Sequence, residues 1–217
     1  MSKKSLFYIG AGVLMILATV LSLISGALVV DGWYFNMMLD HIGGEDILSM
    51  FKTIVKRYIS MMDRWAWMEF FVMILTGVIL IAKGIVPDML RWEMGIAGLF
   101  GLLAVFALIG FAQNFFNLFR DGNIKVFVRW LNILSSLLLL VAFGGMAAII
   151  FMKDSFGSFF FVPAAALAFK EFMWFVIRAF GMFGIPHIGF GACLIILIVD
   201  MMLVAALFAA GMANNEE

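Results

Sequence analysis

An all-α integral membrane protein is the fold class this 217-residue chain predicts: five or six spanning helices plus one amphipathic surface helix, in a single polytopic domain. Hydrophobic residues make up 65% of it and charged ones 13%. That is more apolar surface than one soluble core of this length could bury. The apolar runs exceed the ~18 residues a helix needs to cross hydrocarbon, and they far exceed the ~10-residue alternating strands of a membrane barrel. Helices satisfy their own backbone hydrogen bonds in lipid, so the runs read as helices.

The first run, 6–30, is LFYIGAGVLMILATVLSLISGALVV behind MSKKS. It is longer than the ~7–15 residues of a signal-peptide core, so an uncleaved helix is expected despite the small residues Ser25, Gly26 and Ala27. Ala18, Ser22 and Gly26, four apart, read as a helix-contact seam.

Residues 45–64 are of another kind. Ile47, Met50, Phe51, Ile54, Tyr58 and Met61 fall on one helical face, and Ser49, Lys52, Thr53, Lys56, Ser60 and Asp63 on the other. This predicts a helix lying on the membrane surface, with Glu45 and Asp46 at the positive end of its dipole. Lys52, Lys56, Arg57 and Arg64 suit anionic headgroups, which makes membrane lipid an expected partner.

Further spans are expected at 66–86, 93–118 and 131–152. Trp33, Trp65, Trp67, Trp92 and Trp130 stand near the proposed boundaries, where amphipathic rings prefer the headgroup level. Along 93–118, Gly95, Gly98, Gly101, Ala104, Ala107 and Gly110 recur every third residue. Such a ridge falls about 60° short of a turn at each step and winds around the helix, as expected of a central helix with several neighbours. Gln113, Asn114 and Asn117 end this span, while Asn132, Ser135 and Ser136 begin the next, so the six form an expected polar helix-contact cluster. A polar lining for a solute path is the sharper reading of the same residues.

The segment 163–183 has two readings. Pro163 suits a helix start, and Lys170, Trp174 and Arg178 then share one stripe, with Glu171 beside it. Either the segment lies in the interface with its charges toward headgroups, or it crosses with them turned inward. The last span, 188–212, carries Asp200 about 18 Å from either end at 1.5 Å per residue. An ionised residue at that depth costs roughly 2.5–3.5 kcal/mol, so Asp200 should be protonated, paired or facing water. Lys170 or Arg178 is the expected partner. On this helix Cys193, Ile196, Leu197, Leu203, Val204 and Leu207 share the acid's side, while Gly191, Ile198, Met202, Ala205 and Ala209 lie opposite, so neighbours are expected on both sides.

Equal numbers of basic and acidic residues, 14 each, leave no footprint for nucleic acid. The lone Cys193 reads as a small packed hydrophobe. Two histidines, His41 and His187, are too few for most metal or haem arrangements. Phosphate loops, zinc patterns and nucleophile elbows are missing from the sequence. Neither enzyme, cofactor nor metal is expected. In an even-numbered bundle Lys52, Lys56, Arg57, Arg64, Arg120, Lys125 and Arg129 fall on one side and Lys3, Lys4, Lys83, Arg91 and Lys153 on the other. This count favours a cytoplasmic first loop, whereas the leading Lys3-Lys4 favours the reverse, and orientation stays open.

The stretch 56–83, KRYISMMDRWAWMEFFVMILTGVILIAK, resembles the small membrane subunits of TRAP-type solute transporters. That family has an Arg-Tyr pair before Trp and Glu at a helix start and then a mid-helix glycine, matched here by Arg57, Tyr58, Trp67, Glu69 and Gly77. The pair follows a surface helix here, and the histidine usual in the family after its helix is missing. The resemblance implies a solute-transport subunit. The residues themselves imply either solute or ion movement in a membrane complex, carried by Asp200, Lys170, Glu171, Arg178 and Glu69, or a structural assembly subunit without transport. Other membrane subunits or further copies of this chain are the expected partners, and a bacterial cytoplasmic membrane the expected setting.

Overall fold

The computed structural model describes residues 2–39, 47–87, 92–119, 126–152, 157–185 and 188–215. The expectations for His41, Glu45, Asp46, Arg91, Arg120, Lys125, Lys153 and His187 lie outside these residues. Described residues form seven α-helices and two short 3-10 turns: α1 (Lys3–Leu39), α2 (Ile47–Met61), α3 (Arg64–Ile85), α4 (Trp92–Leu118), α5 (Val126–Phe151), α6 (Val162–Ala179) and α7 (Phe190–Asn215). All but α2 are long and apolar enough to cross a membrane, so this is a six-span all-α membrane protein. The segment around Lys170 therefore belongs to a helix of spanning length and composition, and the interfacial reading falls.

Boundaries follow local chemistry. Asp63 caps α3 by accepting a 2.8 Å hydrogen bond from the Ala66 amide, so it belongs to α3 and not to the polar face of α2. Pro163 sits in the first turn of α6, where its missing N–H leaves no bond unmade. That helix ends at Ala179, four residues before its expected limit, because Gly181 takes a left-handed conformation (φ 61°). α1 continues past its expected end to Leu39, and α5 begins at Val126, five residues ahead of expectation.

The spans close a ring in the order α1, α3, α4, α5, α6, α7 and back to α1, with α2 packed on α1. Short connections make successive spans antiparallel, so both chain ends lie on one face of the bundle and α2 on the other. The main core occupies the half nearer the chain ends, where Tyr8, Met15, Leu80, Phe100, Phe143, Met146 and Leu207 are buried together. A smaller cluster of Ala27, Leu28, Ala179, Cys193 and Ile196 lies nearer α2, with Val55 and Tyr58 packed against it. Cys193 is buried and packs as a small apolar side chain.

Close packing runs through different glycines from those expected. A Cβ on Gly12 would stand 2.4 Å from the Gly77 carbonyl oxygen, and one on Gly84 would stand 2.7 Å from that of Ser5, so α1 and α3 meet backbone to backbone. The α4 ridge is not such a seam: a Cβ on Gly95, Gly98 or Gly101 would meet nothing within 4 Å. α4 packs chiefly on α3 and α5 and is not central, so a ridge that winds around it has no partner on its outer side. On α7 the face opposite the acid is divided: Gly191, Ile198 and Ala205 are exposed, Met202 and Ala209 are half-buried with Ala209 against the main core, and Ala192, Ala206 and Ala210 are buried beside the acid's face.

At the chain-end face, Lys83 is only 3% exposed and donates to Glu93 at 2.5 Å, with its ammonium 4.4 Å from the centre of the Tyr8 ring. Glu93 is 49% exposed, so water screens the pair from one side. Removing the carboxylate charge leaves the buried ammonium beside the Tyr8 side chain without its counter-charge. Glu93→Gln should cost about 1–3 kcal/mol, between an exposed and a fully buried pair. Thermal unfolding in detergent measures this, and an unchanged midpoint would refute it.

Candidate functional site

A cleft of about 230 Å³ lies inside the ring toward the α2 face. α1 contributes Thr19 and Ser22 to its wall, α2 contributes Tyr58, α3 contributes Glu69, α6 contributes Lys170 and Glu171, and α7 contributes Asp200. At ~30 Å³ per water it has room for roughly seven waters. Its floor is apolar, with Phe143, Leu167 and Leu203 leading into the packed half. α4 is the one spanning helix that supplies no lining residue.

Four of the five ionisable residues expected inside the membrane, Glu69, Lys170, Glu171 and Asp200, thus line one cavity from three helices. The fifth, Arg178, lines a small extension beyond it with Glu171, Cys193 and Asp200. The ion pair differs from the expected one. Lys170 donates to Glu171, its neighbour in sequence. Asp200 faces the same cluster, with Glu171, Lys170 and Arg178 close enough to act on it electrostatically. Helix α6 explains this: Glu171 is buried toward α7, and Lys170 is close enough to turn to it. Taken ionised, three carboxylates face two cations and leave one negative charge uncompensated. Asp200 stands ten residues from Phe190, about 15 Å below the α2 end of its helix.

Arg178 is held by the face of Trp174, 5.1 Å from the ring centre, and the Trp174 Nε1 donates to Ser135 at 3.0 Å. The polar cluster of α4 and α5 lies outside the cleft and touches the ionisable group only through Ser135 and Trp174 among the described residues. Asn114 donates to Ser136 at 2.9 Å, Ser136 to the Asn132 carbonyl at 3.0 Å, and Arg129 to the carbonyls of Asn117 and Leu118. Gln113 and Asn117 are exposed. None of the six lines the cleft. Asn114→Ala should lower stability by about 0.6–1.7 kcal/mol, the range for one interhelical hydrogen bond in a membrane. A detergent unfolding midpoint outside the error of wild type would bear this out, and an identical one would refute it.

The α1 seam is also reassigned. Ala18 and Ser22 line the cleft, and Gly26 receives the Tyr58 ring from α2. On α2 itself, Ser49, Lys52, Thr53, Lys56, Arg57 and Ser60 are exposed, as is Arg64 at the start of α3. Met61, expected inward, is exposed as well. Sequence patterning put Tyr58 on an apolar face but gave it no role. Burial raises its phenol above the ordinary value of 10.0, and the Glu69 carboxylate adds to the shift. The hydroxyl is therefore a neutral donor at physiological pH. Thr19 escaped notice, and Ser22 was read only as part of a helix-contact seam, because small hydroxyls in an apolar run look like packing residues.

A six-span membrane bundle with a charged cup on the α2 side of its core is the class that these features define. No family model matches the chain, and no curated protein or solved structure is similar enough to count as a relative.

Proposed function

We propose that this protein moves a small solute or ion across the membrane through the cleft, as a subunit of a complex or a homo-oligomer, in a bacterial cytoplasmic membrane. The observation that carries the reading is the convergence of Glu69, Lys170, Glu171 and Asp200 on one mid-membrane cavity. Ionisable groups at that depth are costly and rare, and they commonly mark ion or substrate pathways. The uncompensated negative charge favours a proton or another small cation. Basic residues Lys52, Lys56, Arg57 and Arg64 would hold the surface helix against anionic headgroups. The test is purified protein in liposomes carrying a pH-sensitive dye inside, with an imposed potential, in buffers of sodium, potassium or choline. Proton or cation uptake above protein-free vesicles is expected. Traces no faster than those of protein-free vesicles in every buffer would overturn the reading.

A second reading, an assembly subunit without transport, draws on Gly95, Gly98 and Gly101, whose open side would admit another helix closely. It predicts no flux and a co-purifying membrane partner. An enzymatic role has no supporting residues in either reading.

A further inference from the structure

We infer that α2 is the lid of the cleft and that Tyr58, seated on Gly26, is the side chain that closes it. The inference rests on reading the cleft as a solute path. Tyr58 and Met62 are the lining residues from outside the spans, and they lie on the side of the cleft away from its apolar floor. The fit at Gly26 is tight: a Cβ there would stand 2.3 Å from Cζ of Tyr58 and 2.4 Å from its Oη. Only glycine lets the ring lie against α1. Ser22 is one turn deeper, about 6 Å further in, and Thr19 almost a turn below that. Across the mouth stands Glu69, close enough to act on the phenol. The ring therefore lies between the α2 face and the charged group.

Among the described residues, α2 meets the bundle mainly along α1. It packs on α1, chiefly where Val55 and Tyr58 meet Ala27 and Leu28, and takes no part in the ring of spanning helices. Met62 and Asp63 alone join it to α3, and Asp63 is already fixed as the α3 cap. Lifting α2 at this joint would unseat Val55 and Tyr58 and break no contact between spans. Local openings of this kind draw on the least stable contacts of a fold. Opening would expose Ser22, Glu69 and finally Asp200 to the aqueous side, while the floor stays shut.

Cysteine accessibility tests this without any transported solute. In a Cys193→Ala background, Ser22→Cys reports the cleft and Leu207→Cys the packed half, each labelled with a hydrophilic maleimide in mild detergent. Tyr58→Ala should speed labelling at position 22 by about tenfold or more, as expected when a closed state loses its main contact. Gly26→Leu, which displaces the ring, should do the same, and Tyr58→Phe should keep the parent rate. Position 207 should stay unlabelled throughout. Equal rates at position 22 in Tyr58→Ala and its parent would overturn the lid. So would labelling at both positions, which marks general loosening. Faster labelling in a protein that moves no ion sinks the transport reading alone, whereas flux with unchanged labelling sinks the lid alone.

Discussion

Asp200→Asn is expected to reduce cation or proton uptake into proteoliposomes to the level of protein-free vesicles while leaving the protein folded. The carboxamide matches the carboxylate in size and opens no cavity, so packing around Val199 and Leu203 is kept. What it loses is the capacity to hold and release a proton or to balance a cation next to Glu171. The stability change should stay within about 1 kcal/mol, because replacing a buried charge by a neutral isostere removes desolvation cost as well as attraction. Two measurements decide the matter together. Lost flux with an unchanged unfolding midpoint and elution volume supports transport at this site. Unchanged flux overturns it, and a collapsed elution profile assigns Asp200 to the assembly of the bundle.

Gly12→Val should be the most damaging single change to the fold. Its Cβ would press on the Gly77 carbonyl oxygen at 2.4 Å and the Ile81 amide nitrogen at 2.9 Å. Both are backbone atoms of α3, so relief requires the two helices to separate along their length. Overpacking of this kind costs about 1–3 kcal/mol and more where backbone must shift. At about 2–4 °C per kcal/mol for a chain of this size, a loss of roughly 5–10 °C in detergent is expected. Gly98→Ala is the matched control, since nothing lies within 4 Å of the added carbon, and it should be neutral. Equal effects of the two would show that α1 and α3 do not meet as closely as described.

Composition and run length carry the fold class here because lipid removes the alternatives: a long apolar run has no structure available but a helix. Span ends were legible where a residue fixes them, as at Asp63 and Pro163, and illegible where the stop is conformational, as at Gly181. The ionisable residues stood out by their cost in hydrocarbon, which is visible in one dimension. Their partners did not, because Lys170 reaches Glu171 or Asp200 with equal ease on paper. Glycine spacing misled for the same reason. Gly95, Gly98 and Gly101 form the tidier pattern, yet Gly12 and Gly77 do the packing, and only the ring order of helices distinguishes them. Tyr58 was hidden by its own face, since an aromatic among Ile54 and Met61 reads as an anchor in lipid.

The unequal halves of the bundle also divide the membrane electrically. With α2 lifted, water in the polar cup would carry the aqueous potential inward to the depth of Asp200, so little voltage would fall there. The drop would then be concentrated across the packed layer of Met15, Phe143, Met146 and Leu207. A unit charge crossing that layer would work against nearly the full potential, about 2.3 kcal/mol per 100 mV, over roughly half the physical thickness. The field on the floor of the cup would be about twice that of a uniform membrane, which would make the layer beneath Asp200 the voltage-sensitive part of the molecule.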